Sequence, residues 1–220
     1  MGGEAVSAGS HQGCGDLTLS LQDVCKSFGE LRVLEGVTAC FEPLRAHVVM
    51  GPSGAGKTTL LRLLAGLERP EAGEVVRGSD VRLGMTFQED RLCENLTATA
   101  NIRLPRPRLS GEALERFLAY EREAMAACDL PVDARPVRDL SGGQRRRVAI
   151  LRCVLAEANT LLFDEPLKGM DEKTVETVMA FVAPLVAERT VLWTTHDERD
   201  LRFFNDPILW RIEGGRLSTC

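Results

Sequence analysis

Aromatic side chains are scarce in this 220-residue chain, where one Tyr, two Trp and eight Phe make up 5% of the residues. Its core must therefore be built from Leu, Val, Ala and Met. No stretch approaches the roughly 20 consecutive apolar residues that cross a bilayer, so no membrane span is expected. A basic excess is also missing: 27 Lys and Arg against 32 Asp and Glu give a net charge of −5, which argues against a protein that coats nucleic acid. CxxC pairs are absent. The seven cysteines (Cys14, Cys25, Cys40, Cys93, Cys128, Cys153 and Cys220) are odd in number and scattered, a pattern of reduced cytosolic thiols rather than of a disulfide frame or a zinc site. The first 16 residues lack a basic stretch followed by an apolar run, so they read as a flexible tail and not as a secretory signal.

What is present is ordinary for one globular domain, with 44% apolar and 27% charged residues. The pattern predicts strands at 17–24, 33–41 and 46–50, a helix from Lys57 to Gly66, a loop around Glu68–Gly73, and a strand at 81–88. Residues 95–140 contain no strand candidate. A helix is expected there from Gly111 to Cys128, with Leu114, Phe117, Leu118, Ala124, Met125 and Cys128 on one face. Alternation resumes with a helix from Gln144 to Glu157, a strand at 160–163, a helix over 173–188 that Pro184 should kink or shorten, and a strand at 190–194. The expected fold is α/β: a mainly parallel sheet, an N-terminal antiparallel portion, and a helical lobe inserted over about 90–143 of a domain spanning 17–220.

Gly51-Pro52-Ser53-Gly54-Ala55-Gly56-Lys57-Thr58 fits GxxxxGK[ST] between a predicted strand and a predicted helix. Backbone N–H groups at a helix N-terminus face anions with positive partial charge, and the glycines let that backbone wrap a polyphosphate closely. Lys57 adds a cation toward the β- and γ-phosphates, Thr58 a hydroxyl for Mg²⁺, and Thr59 a bond to a nearer phosphate. The apolar run Thr160–Phe163 ends in Asp164 and Glu165, delivered to the carboxyl edge of the sheet. Asp164 is the candidate Mg²⁺ carboxylate, and Glu165 the candidate to orient or deprotonate an attacking water. Leu140-Ser141-Gly142-Gly143-Gln144 opens a second helix with a serine cap and bare glycine amides. A single nucleotide needs no second anion site in one subunit, unless that site serves a partner's nucleotide.

On these motifs the chain resembles the nucleotide-binding subunits of ABC transporters from about Leu17 onward. GPSGAGKTT is similar to their Walker A, LSGGQ to their signature and LLFDEP to their Walker B. The resemblance implies that ATP and Mg²⁺ bind, that Ser141, Gly142, Gly143 and Gln144 reach the γ-phosphate held by a second ATP-binding subunit, and that two copies sandwich two ATP. It also makes Gln88 the glutamine that reaches Mg²⁺ and senses the membrane subunit, and His196 the histidine that bonds the γ-phosphate. Phe28 is the candidate to stack on adenine, or alternatively a core residue. Catalysis is expected from Glu165, His196, Gln88 and Lys57, in a cytoplasmic subunit peripheral to the inner membrane face.

The implied partners are transmembrane permease subunits, docked near Glu89–Ile102, and an extracytoplasmic solute-binding protein; nucleic acid is not expected. Residues Phe87–Leu92 look most like the nitrate/sulfonate/taurine import group. The chain departs from the family where Leu167-Lys168-Gly169-Met170-Asp171 replaces the commoner SALD pattern, and where Leu44-Arg45-Ala46-His47 replaces a Pro-Gly-Glu turn. Arg145-Arg146-Arg147 is expected to be a solvated helix face. The alternative functions are a soluble ABC ATPase acting on nucleic acid or ribosomes, and an ATP switch without turnover.

Overall fold

The computed structural model describes residues 15–220. The tail expected over 1–16, with Cys14 and His11, lies outside the described residues except for its last two positions. There Asp16 is tied down, its N–H donating to Asp80 Oδ2 at 2.8 Å and its carbonyl accepting from Asp80 N at 3.1 Å.

Two sheets form the frame. The smaller is antiparallel, with β1 (Leu19–Phe28) between β2 (Leu31–Phe41) and β4 (Ala72–Arg77). The larger adds β3 (Ala46–Met50), β5 (Leu83–Met85), β6 (Thr160–Asp164), β7 (Thr190–Thr195), β8 (Ile208–Glu213) and β9 (Arg216–Thr219) in the order β5-β6-β7-β3-β8-β9. All its pairings are parallel except β8 with β9. The helices are α1 (Lys57–Leu64), α2 (Ala98–Arg103), α3 (Gly111–Ala127), α4 (Gly142–Val154) and α5 (Glu172–Val186). The expected α/β class, antiparallel portion and helical insertion between β5 and α4 are therefore all present.

Alternation along the central strands divides the core. Val48, Leu161, Phe163, Val191 and Trp193 pack with α4 and α5, whereas their neighbours Val49, Leu162 and Leu192 pack with α1 and the antiparallel sheet. Burial on both faces is why these strands read as continuous apolar runs.

Several expectations need correction. The segment read as a loop near Gly73 contains β4, which pairs with β1 from Leu19↔Arg77 to Cys25↔Ala72. The strand expected over 81–88 contracts to Leu83–Met85, so Gln88 lies beyond it. Strands β8 and β9 were not foreseen. Helix α5 runs through Pro184 to Val186, because that proline is exposed in the last turn, where one missing backbone bond is tolerated.

The buried face of α3 holds Phe117, Ala124 and Met125 as expected, and also Glu121, which is fully buried. Arg103 of α2 neutralises it, with Nε donating to both carboxylate oxygens at 2.9 and 3.0 Å. Removing one partner of a buried pair strands a charge at a cost of about 3–5 kcal/mol. Arg103 is itself half exposed, so the lower end applies. Arg103→Met is expected to lower unfolding stability by about 3 kcal/mol, read from urea denaturation followed by circular dichroism. A change below about 0.5 kcal/mol would mean that Glu121 finds another partner.

Candidate functional site

Strands β6, β7 and β3 are neighbours with matched ends, Asp164 lying opposite Thr194 and Thr195 opposite Met50. The segments that leave their carboxyl ends emerge side by side: Asp164–Glu165 from β6, His196 from β7 and the glycine-rich turn from β3. In parallel sheets this edge is where ligands bind.

The turn Gly51–Gly56 leads into α1. Gly56 caps that helix at φ 104°, a backbone conformation closed to most side chains, and its missing Cβ leaves room for Val33 Cγ1. Lys57 is the first helical residue, and its ammonium folds back over the turn to donate to the carbonyls of Gly51 (2.7 Å) and Pro52 (3.1 Å). It also lies 3.2 Å from Glu165 Oε1. Both side chains are buried.

Glu165 is a knot of constraints. Its φ of 44° places a non-glycine residue in the left-handed region, which costs roughly 1–3 kcal/mol and recurs at functional sites. The backbone is held there because Glu165 N–H donates to the Thr194 carbonyl (3.2 Å) and to its hydroxyl (3.1 Å). Lys168 Nζ donates to Oε2 at 2.7 Å, and His196 Nδ1 stands 3.6 Å from Oε1. Burial pushes the Glu165 carboxyl up; hydrogen bonds from Lys168 and Lys57 outweigh it and hold the group below the usual glutamate value.

Asp164 is buried, its Oδ1 accepting from the Thr194 hydroxyl at 3.0 Å. The oxygen donors near this edge are a carboxylate (Asp164), a hydroxyl (Thr58) and a carboxamide (Gln88). This set suits a hard cation such as Mg²⁺, which keeps waters and needs few protein ligands when a substrate supplies phosphates.

Ser53, Gly54, Gly56, Lys57, Thr58, Thr59, Gln88 and Glu165 line one cavity. The structure thus brings eight of the predicted residues together, while Gly51 and Pro52 line an adjoining cavity and Ala55 and Asp164 are not among the lining residues. His196 stands outside the first cavity, lining the adjoining cavities beside Gly51–Pro52 and beside Leu167–Met170. Phe28 is 47% exposed at the end of β1 with Lys26 Nζ 5.0 Å from its ring centroid, which overturns the core alternative; it does not line the cavity.

Ser141, Gly142 and Gly143 are exposed and away from this cavity. Sequence there explains the local fold. Ser141 Oγ accepts from Gln144 N–H (3.2 Å) and Gln144 Oε1 accepts from Ser141 N–H (3.0 Å), a reciprocal cap that starts α4.

Of the arginines after this cap, Arg146 and Arg147 are largely shielded from solvent, contrary to expectation, while Arg145 stays partly exposed. Arg146 donates to the carbonyls of Phe87 (2.9 Å) and Gln88 (2.6 Å) and pairs with Asp90 at 3.1 Å. Arg147 is buried and donates to Cys128 O at 2.9 Å, and Arg145 pairs with Glu94 at 3.3 Å. Further along α4, Arg152 holds the carbonyls of Asp90 (3.0 Å) and Arg91 (2.9 Å). Two arginines of the capped helix therefore clamp the segment that carries Gln88. Sequence reasoning also missed Val33 and Lys168 as lining residues of the cavity; the departure at Leu167–Asp171 was the available signal for Lys168.

With this geometry in place, the likenesses to known proteins are informative. The ABC transporter family model matches residues 34–168, and the chain belongs to that family. It is 32% identical over 214 residues to the sulfate/thiosulfate import ATP-binding protein CysA of Pseudomonas aeruginosa, covering 90% of this chain and 65% of that protein. It is 33% identical over 207 residues to the Fe(3+) ions import ATP-binding protein FbpC 1 of Rhizobium meliloti, covering 88% and 58%. The chain thus spans less than two thirds of the length of these curated relatives. Among solved structures it is similar to the dimeric MJ0796, a bacterial ABC transporter cassette, with 28% identity, a TM-score of 0.79, and 91% and 96% of the two chains covered. A post-hydrolysis state of MJ0796 bound to ADP and Pi superposes with a TM-score of 0.77, at 28% identity over 91% and 98% of the chains.

Arg146→Ala should free the backbone it clamps. Limited proteolysis between Phe87 and Arg91 is expected to be about tenfold faster, while α4 itself stays uncut. An unchanged cleavage rate would show that Arg152 alone holds the segment.

Proposed function

We propose that this chain binds and hydrolyses ATP as a subunit of an ABC transporter, energising solute import across the cytoplasmic membrane. The observation that carries the reading is the convergence of Lys57, from the phosphate-binding turn, on Glu165, at the end of the buried acidic strand, in one cavity. A polyphosphate entering the turn meets helix N–H groups and takes the Lys57 ammonium from its present carbonyl partners. Thr58, Asp164 and Gln88 would hold Mg²⁺, whose charge would offset that of the phosphates.

Glu165 is the proposed base. It accepts a proton from the attacking water as that oxygen bonds to the γ-phosphorus and the bond to the ADP oxygen breaks, giving ADP and phosphate. His196, 3.6 Å from Glu165 Oε1, would hydrogen-bond the γ-phosphate, and Phe28 is exposed enough to stack on adenine.

Ser141, Gly142, Gly143 and Gln144 stand apart from the Lys57 cavity, and the structural relative MJ0796 is dimeric. Both facts support a head-to-tail pair in which each copy's serine cap completes the other's site. Among the described residues no helix is long and apolar enough to cross a membrane, so the proposed membrane work falls to permease subunits. The names of CysA and FbpC 1 support import. We place the solute system in the nitrate/sulfonate/taurine group on the sequence at 87–92, with a solute-binding protein outside the membrane and this chain on its inner face.

Glu165→Gln is expected to bind ATP normally and to turn it over about 100-fold more slowly or worse, whereas Lys57→Ala should lose ATP binding. Hydrolysis at the wild-type rate by Glu165→Gln would overturn the assignment of the base.

The shared site has its own test. Mixing inactive Lys57→Ala and Ser141→Arg copies leaves one intact site in each mixed dimer, so roughly a quarter of wild-type activity should return. No recovery, with mixed dimers present, would argue that the sites are not shared or that one intact site cannot fire alone.

A further inference from the structure

Glu165 is gripped by two lysines that differ in what else they can do. Lys57 belongs to the phosphate-binding turn, already donates to two carbonyls there, and touches Oε1 of the carboxylate. The Lys168 ammonium touches the other oxygen, Oε2, at 2.7 Å, and has no other hydrogen-bond partner among the described residues.

The backbone builds the second contact locally. Lys168 N–H donates to the Glu165 carbonyl at 3.2 Å, closing a four-residue turn with Pro166 at its second position. Proline pre-sets the dihedral such turns need, so the first and fourth side chains meet without help from any ligand. The acceptor is buried and the lysine is about two-fifths exposed, so the pair is shielded more than a surface ion pair. Both residues line the phosphate-loop cavity and also the adjoining one beside His196.

We propose that Lys168 is a positioning residue for Glu165, an inference that rests on Glu165 acting as the base. When a polyphosphate draws Lys57 away, Oε1 loses its nearest cation and becomes free to take a proton from water. Lys168 keeps hold of Oε2, so the carboxylate does not swing out of line at that moment. A carboxylate displaced by about 1 Å loses much of its advantage, on the order of 100-fold in unfavourable cases. The charged and titratable groups facing this carboxylate are Lys57 from α1, Lys168 from the turn and His196 from the end of β7.

The test is Mg-ATP hydrolysis by the full chain, with binding of a fluorescent ATP analogue measured alongside. Lys168→Met is expected to lower kcat about tenfold while KM and analogue affinity stay within about twofold, because the lost contact matters only during the chemical step. Lys168→Arg should recover at least about half of the loss, since a guanidinium can hold the same oxygen. Added to Glu165→Gln, Lys168→Met should change kcat by less than about twofold. The proposal fails if Lys168→Met keeps the wild-type kcat, if Lys168→Arg is as impaired as Lys168→Met, or if affinity falls in parallel with kcat. Rapid hydrolysis by Glu165→Gln alone would sink the reading of the base instead, whatever Lys168 does.

Discussion

A carboxylate with 7% exposure would ordinarily shed its charge, because the buried ion loses its water. Glu165 stays ionised because ammonium groups from α1 and from the turn after β6 reach it, with the imidazole after β7 close by. Neighbouring parallel strands with ends in register make that meeting possible. Slip one strand by a residue and the side chains at its end change face. The charge centre thus depends on the sheet, while the sheet's matched ends are sealed by the polar contacts of Thr194 with Asp164 and Glu165.

Helix α4 connects this centre to the exposed serine cap. Its first turn is built by the reciprocal Ser141–Gln144 bonds, and its side chains Arg146 and Arg152 grip the backbone of residues 87–91. Its far end is covered by other arginines: Arg189 reaches the carbonyl of Val154 at 2.8 Å and Arg106 that of Leu155. Cations at a helix C-terminus complement the unsatisfied carbonyls there. The helix is therefore fastened at both ends, and a displacement of its cap would be felt in the segment bearing Gln88.

Much of this was legible because it is local. A phosphate-binding turn is a short backbone shape, and Gly51–Thr58 encodes it without distant partners. The buried strands announce themselves as apolar runs, and Ser141 with Gln144 spells its own cap. What escaped was non-local. Strand β4 is masked by Glu71, Gly73 and Glu74, and it exists because β1 offers it an edge. Arg146 and Arg147 look like a wet surface until the carbonyls folded beneath them are known. Glu121 looks like a solvent-facing residue until Arg103 arrives from another helix. Lys168 stood out as a departure from the family pattern, but its partner could be seen only in three dimensions.

The phosphate-binding turn also rests on a strand laid down late in the chain. Gly51 lies so close to β8 that a Cβ there would come within 2.5 Å of the Ile212 carbonyl and 2.7 Å of its Cγ2. Strand β8 is thus a mould against which the loop is cast, and the loop's curvature is inherited from a residue outside the glycine-rich motif. The shape of this turn can consequently be altered from behind, by bulk or register changes at Ile212, with every residue of the glycine-rich motif left intact.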